Sequence, residues 1–322
     1  MDTNKEKVLL FGNGINRTRY KNGKHSWAAI LKELAPLAVD GKHIDLSNEF
    51  KPFPMSFEEI LANKENTYAG GMKVLKGKIS ENLITLPKNE IYEKILESNI
   101  KNILTTNYDY AIEKSLQHGF DTNLCNSTPI YRERKTSLSR RYTLDRINIW
   151  HIHGEAKTSK IDSILIGFEQ YSKYLSDVQE YLHGRIESLT MHTIGQRLKA
   201  LNSHTKVAQS WVDFFFFADI DIIGLTLDFS EIVLWWVLNK RSQYIRDKKP
   251  EINNEIRYFY KTPSYSDNIS LADKLGEEVL YRKQKAIVEI LTALNVIPMP
   301  IDKNYYYDFY TAALDQTLEE LL

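Results

Sequence analysis

Ile103-Leu104-Thr105-Thr106-Asn107-Tyr108-Asp109 decides the reading of this chain. It begins as a short apolar run with little polar alternation, the pattern of a strand buried on both faces of a parallel sheet. It stops on an amide and a carboxylate. Some forty residues on, Ile147-Asn148-Ile149-Trp150-His151-Ile152 repeats the pattern and stops on His153-Gly154. Upstream, Val8-Leu9-Leu10-Phe11 runs into Gly12-Asn13-Gly14, a turn that lets backbone approach a phosphate. Open α/β sheets bind ligands at the carboxyl ends of their strands, so Asn107, Asp109 and His153 are candidate site residues.

The same pattern predicts strands at residues 8–11, 102–106, 147–151, 163–166, 219–225, 255–260 and 295–300. Helical segments lie between them. Ser26 caps one that begins at Trp27, and Ser56-Phe57-Glu58-Glu59 has the capping-box spacing of another. Further helices are expected over 108–117, 177–201 (long and amphipathic), 230–244, 270–294 and 305–322. Alternating strand and helix predicts an α/β fold, a Rossmann-like parallel sheet with right-handed crossovers. Stretches at about 40–98 and 170–215 do not fit a minimal alternation and are expected to be helical insertions.

Bulk composition narrows the function classes. The 322 residues carry 42 Lys+Arg against 42 Asp+Glu, a formal net charge of zero. That disfavours direct binding of nucleic acid, which needs a concentrated positive field. The single cysteine, Cys125, supplies neither an internal disulfide nor the paired thiolates of a structural zinc site. The polar start, Met1 to Lys7, does not fit a secretory signal. The most apolar stretch, 211–227, is interrupted by Asp213, Asp219 and Asp221, so no membrane span is expected. These features predict a cytoplasmic protein.

Each candidate has a plain structural alternative. Asn107 or Asp109 also serves as the cap of the next helix. Of the His-Gly pairs, His118-Gly119 reads as a helix stop and His183-Gly184 falls within a helical pattern; only His153-Gly154 follows a strand. His151 and His153 share a face if the strand continues through both, but no third metal ligand stands at recognisable spacing. A fourth segment, Asp221-Ile222-Ile223-Gly224-Leu225-Thr226-Leu227-Asp228, leaves a strand through glycine toward a hydroxyl and free helix amides.

Taken in order, these segments resemble the bacterial Sir2-like (sirtuin-like) proteins of antiphage NAD-depletion systems. Gly12-Asn13-Gly14, with Ser26-Trp27 behind it, is similar to that family's glycine-rich phosphate turn. Thr105-Thr106-Asn107-Tyr108-Asp109 resembles its nicotinamide-pocket motif, and His153-Gly154 its catalytic histidine. The run 163–167 followed by Tyr171 resembles a segment of the defence branch. Gly224-Leu225-Thr226-Leu227, with Phe229-Ser230-Glu231 and Trp235-Trp236, resembles its adenosine-side motif.

The resemblance implies one sirtuin-like domain over 1–322 and NAD as the substrate, with no metal. Asn107 and His153 would be catalytic; Gly12, Asn13, Gly14, Asn16, Asp109, Gly224, Thr226 and Leu227 would bind the dinucleotide. It departs from deacylating sirtuins in lacking the four-cysteine zinc ribbon. The proline-bearing stretch after their glycine turn is replaced by Arg17 to Ser26, which has none. Both departures favour cleavage of the nicotinamide–ribose bond over protein deacylation. An NAD or ADP-ribose sensor without turnover, and a deacylase with a shortened cleft, stay open. A trigger would come from a partner protein or from self-assembly.

Overall fold

The computed structural model describes residues 5–18, 26–38, 44, 51–63, 67–121, 138–156, 163–186, 189–200, 208–248, 252–262 and 271–320. Cys125 and most of the stretch from Arg17 to Ser26 lie outside these residues. The strands are β1 (Lys7–Phe11), β2 (Asn102–Thr105), β3 (Tyr142–Leu144), β4 (Ile147–His151), β5 (Asp219–Ile223), β6 (Ile256–Lys261) and β7 (Ile297–Ile301). They form one seven-stranded sheet in the order β3-β4-β2-β1-β5-β6-β7. Every neighbouring pair is parallel except β3 with β4. The fold is α/β and Rossmann-like, as the buried apolar runs predict.

Between the strands run α1 (Gly14–Arg17), α2 (Trp27–Leu34), α3 (Phe53–Ala62), α4 (Tyr68–Ile84), α5 (Glu90–Glu93) and α6 (Ala111–Leu116). The second half adds α7 (Phe168–Leu182), α8 (Ile194–Ala200), α9 (Trp211–Phe217), α10 (Ile232–Arg246), α11 (Leu271–Ala293) and α12 (Tyr306–Glu319).

Successive strand residues point to opposite faces, so the central strands serve two cores. Val8 and Leu10 join Trp150, Ile220 and Ile222 against α7, α9, α10 and α11. Leu9 and Phe11 join Ile103, Ile149 and Ile223 against α5, α6 and α12. A third core, from α2, α3 and α4, closes on Tyr108, Ala156, Ile164 and Ile166. Tyr108 and Ala156 belong to the loops that leave β2 and β4, so this helical module packs on the loops at the carboxyl edge. It falls largely in the stretch 40–98, where no strand occurs among the described residues.

Chain order follows position in the sheet. From β1 the chain moves to β2 and β4 on one side, then returns across β1 to β5, β6 and β7 on the other. Such a reversal opens a crevice at the carboxyl ends of the central strands.

Several expectations are corrected. Residues 163–166 form no strand; they lie beside the β4 loop, with the Leu165 amide donating to the His153 carbonyl at 2.8 Å. The short β3 was not expected. Ser56 opens no helix: Pro52 precedes α3, and Ser56 is buried within it. The helix expected over 177–201 is two, because α7 starts at Phe168 and ends at His183-Gly184, where Gly184 takes φ +69°. His183 is thus a helix stop, not a mid-helix residue. Ser26 does cap α2, its hydroxyl accepting from the Ala29 amide at 3.2 Å.

Candidate active site

Four loops meet at the carboxyl ends of the four central strands β4, β2, β1 and β5. Backbone hydrogen bonds between neighbours fix them. The Thr106 amide donates to the Phe11 carbonyl at 3.1 Å, and the Ile152 amide to the Thr105 carbonyl at 2.8 Å. The Gly14 amide donates to the Gly224 carbonyl at 2.8 Å, and the Ala156 amide to the Tyr108 carbonyl at 2.7 Å. Asn107 and His153 each lie two residues beyond the paired residues Thr105 and His151. Strand register therefore places them on adjacent loops.

Asn107 is 6% exposed, and its Nδ2 donates to the Gly12 carbonyl at 3.3 Å. Its amide donates to the Thr105 hydroxyl at 3.0 Å, and its carbonyl accepts from His151 Nδ1 at 2.9 Å. The side chain bridges two loops and caps no helix. Asp109, one residue before the N-cap Tyr110, holds the first amide of α6: Oδ1 accepts from the Ala111 amide at 2.9 Å. Its Oδ2 accepts from Asn16 Nδ2 at 3.0 Å, and Asn16 Oδ1 accepts from the Tyr92 hydroxyl at 3.2 Å. Burial pushes Asp109 up to about 6, against the lowering by the Ala111 amide. Asn16 and Asp109 are joined directly at the junction of β1 and β2, and Asn107 lies two residues before Asp109 on the same loop.

The glycines of the first turn are required by protein packing. A Cβ on Gly12 would lie 2.6 Å from the Gly224 carbonyl oxygen, and one on Gly14 would lie 2.2 Å from the Tyr310 hydroxyl. The amides of Gly12 and Gly14 already donate to Ile223 and Gly224. Asn13 precedes α1 without capping it by its side chain. The first-turn amides of Ile15 and Asn16 are the ones a helix of this kind leaves open at its start. Across the crevice Gly224 has φ +69°, Thr226 is exposed at its side chain, and its carbonyl accepts from the Tyr258 hydroxyl at 3.3 Å. Leu227 takes φ +51° and buries its side chain, so it anchors the loop.

His153 is 2% exposed. The strand ends at His151 and turns, so His151 and His153 do not share a face. His151 faces Tyr110, Tyr142 and Glu113, whereas His153 lies edge-on to Tyr171, 5.4 Å away, and beside Glu231. His153 Nε2 and Glu231 Oε2 are 3.3 Å apart, too poorly aligned to hydrogen-bond, and neither atom has another partner among the described residues. Burial pushes His153 down to about 3; burial, then Asp228, pushes Glu231 up to about 8. Near neutral pH the pair therefore holds one proton, on the carboxyl group, and the imidazole is a free base. The Tyr108 hydroxyl, next to Asn107, donates to the Leu165 carbonyl, and the Leu165 amide donates to the His153 carbonyl at 2.8 Å, so Leu165 links the Asn107 loop to the His153 loop.

Glu231 and Glu113 are the site residues that reading the sequence missed. Glu231 stood in a quoted run without a role. Glu113 is an acid on the first turn of the six-residue helix that follows the Asn107 loop, a position that could have marked it. Among the described residues no group of three or more His, Cys, Asp or Glu is placed to hold a metal ion. No helix of the described residues is long and apolar enough to cross a membrane.

A mostly parallel sheet with polar side chains gathered at its carboxyl-edge crevice defines an α/β protein of the Rossmann-like class. Residues 101–199 match the family model of the SIR2-like domain, which supports a Sir2-like family for this chain. The matched segment contains Asn107, Asp109 and His153; the glycine turn and Gly224–Leu227 lie outside it. Sir2-like domains bind NAD and are generally associated with NAD-dependent enzymes. No curated protein matches the chain.

Proposed function

We propose that the chain is an NAD hydrolase that cleaves the nicotinamide–ribose bond to give nicotinamide and ADP-ribose. The observation that carries this reading is the meeting of Asn107, Asp109 and His153 on adjacent loops of one crevice, inside the SIR2-like match. The facing, unpaired His153 Nε2 and Glu231 Oε2 support it further. Buried polar atoms without partners are uncommon and costly, and a ribose hydroxyl supplies the missing hydrogen bonds. We read the chain as one domain with helical insertions.

Roles follow from position. The pyrophosphate rests on the α1 first-turn amides of Ile15 and Asn16, opposite the Gly224–Leu227 loop on the adenosine side. Asp109 takes the carboxamide of nicotinamide through the lone pairs left beside Asn16. Asn107 orients the ribose and the attacking water. Positive charge builds on the ribose as nicotinamide leaves, as in glycoside hydrolysis. His153 contacts a ribose hydroxyl and accepts the proton released as water adds, its basicity restored when Glu231 ionises beside it. The defence role, depletion of NAD in infected cells, rests on the sequence resemblance.

The test is nicotinamide release from NAD, by purified protein and by cells expressing it. Asn107→Ala and His153→Ala are each expected to lower the rate on the order of 10²–10⁴-fold with the fold intact. If both variants cleave NAD like wild type, the roles are wrong. NAD or ADP-ribose binding without turnover under any trigger identifies a sensor instead. NAD consumption that requires an acyl-lysine peptide identifies a deacylase.

A further inference from the structure

Beneath the crevice lies a buried charge cluster to which the mechanism above assigns no role. His151, the last residue of β4, has its two ring nitrogens against two oxygens. Nδ1 is 2.9 Å from the Asn107 carbonyl and Nε2 is 2.6 Å from Glu113 Oε1, with both side chains fully buried. A carbonyl only accepts, and so does a carboxylate. With Glu113 as the acceptor both ring nitrogens donate, which makes the ring an imidazolium paired with Glu113. Among the described residues Glu113 Oε2 has no hydrogen-bond partner, and His151 holds the other oxygen of this carboxyl group.

The surroundings favour the charged ring. Glu155, fully buried, accepts from the Tyr110 hydroxyl at 2.9 Å and from the Tyr142 hydroxyl, with Arg140 Nη1 3.5 Å away. Tyr110 and Tyr142 pack their rings on the imidazole at 5.7 and 6.0 Å. Asp109 also acts on it electrostatically from the α6 side. Burial alone would lower the His151 pKa; Glu113 first, then Glu155 and the Asn107 carbonyl, raise it to about 9.

We propose that His151 is a positioning residue for Asn107, held as an imidazolium by Glu113 so that its Nδ1–H fixes the peptide carrying the Asn107 side chain. The consequence is mechanical. The Asn107 amide and carbonyl are both tied, to Thr105 and to His151, so its side chain projects from a clamped peptide toward Gly12. The proposal rests on the catalytic assignment of Asn107 made above.

The test combines a readout of the clamp itself with turnover. In protein labelled at histidine nitrogen, the His151 ring is expected to show two protonated nitrogens at pH 7.5 and to titrate near pH 9. Glu113→Gln preserves both hydrogen bonds with a neutral ring, because the new amide donates to Nε2. Its His151 is expected to be neutral at pH 7.5, and its Asn107 side-chain amide signal unmoved. His151→Phe keeps the ring and removes both donors. It is expected to move the Asn107 amide signal and to lower kcat for nicotinamide release about 10²-fold with little change in KM, the cost of a misplaced catalytic group. Wild-type activity should decline as pH rises through about 9, and that decline should vanish in Glu113→Gln. A wild-type His151 that titrates near 6.5, or a His151→Phe protein with wild-type kcat and an unmoved Asn107 signal, overturns the proposal. If His151→Phe does not fold, the Glu113→Gln titration still decides. If the wild type cleaves no NAD, the ring and amide signals judge the clamp while the hydrolase reading fails alone.

Discussion

At the scale of single residues, two positions carry sharp expectations. Gly154 follows His153 with φ +88°, and a Cβ there would lie 1.8 Å from the Ser163 carbonyl oxygen. Gly154→Ala must both enter a left-handed conformation and displace backbone. It is expected to cost at least about 2 kcal/mol in denaturant unfolding, the scale of such strain. Glu231 gives the second. Its folded pKa is raised above its unfolded value, so the stability it contributes is fully present below about 4.5 and is lost as pH rises through about 8. Glu231→Gln is therefore expected to have a higher Tm than wild type at pH 9 and a similar Tm at pH 5. Equal shifts at both pH values would show that the carboxyl group does not ionise against its burial.

At the scale of elements, the ladder of central strands is pinned at its amino-terminal side by Asp221. This fully buried carboxylate on β5 receives Arg257 from β6 through Nε at 2.7 Å and Nη2 at 2.5 Å. Lys7 of β1 sits 3.0 Å away and the Thr317 hydroxyl of α12 donates at 2.7 Å. One acid thus ties three strands and the closing helix together. Asp221→Ala leaves Arg257 and Lys7 to the half-exposed Glu320 and removes several charge-assisted hydrogen bonds, so it is expected to destabilise by about 1.5–3 kcal/mol. Urea unfolding that shifts by less than about 1 kcal/mol would contradict that role.

The same segment shows why strands were easier to read than their neighbours. Ile220, Ile222 and Ile223 announce a buried strand; Asp221 looks like an interruption until its partners, 36 and 96 residues away, are known. β3 was invisible because Tyr142-Thr143-Leu144 is three residues long and follows the basic run Ser139-Arg140-Arg141. The run 163–166 carries the composition of a strand, yet Ile164 and Ile166 are buried by the helical module beside the sheet. Apolar residues report burial, not the element that does the burying.

At the scale of the whole molecule, strand order turns separated motifs into neighbours. Gly12, Asn107, His153 and Gly224 were each legible as residues at the carboxyl end of a strand. Their adjacency was not, since it depends on the chain reversing across β1. Nor was the choice of partners: Asn16 for Asp109, His151 for the Asn107 carbonyl and Glu231 for His153 are contacts across 93, 44 and 78 residues. The glycine turn was legible as a close approach, but the approaching groups are Gly224 and Tyr310.

A structure of the chain with ADP-ribose bound tests the central claim most directly. The account predicts the pyrophosphate at the start of α1 and the terminal ribose within hydrogen-bond reach of Asn107 Nδ2 and of the His153–Glu231 pair. ADP-ribose seated elsewhere, or a ribose remote from both loops, would contradict it.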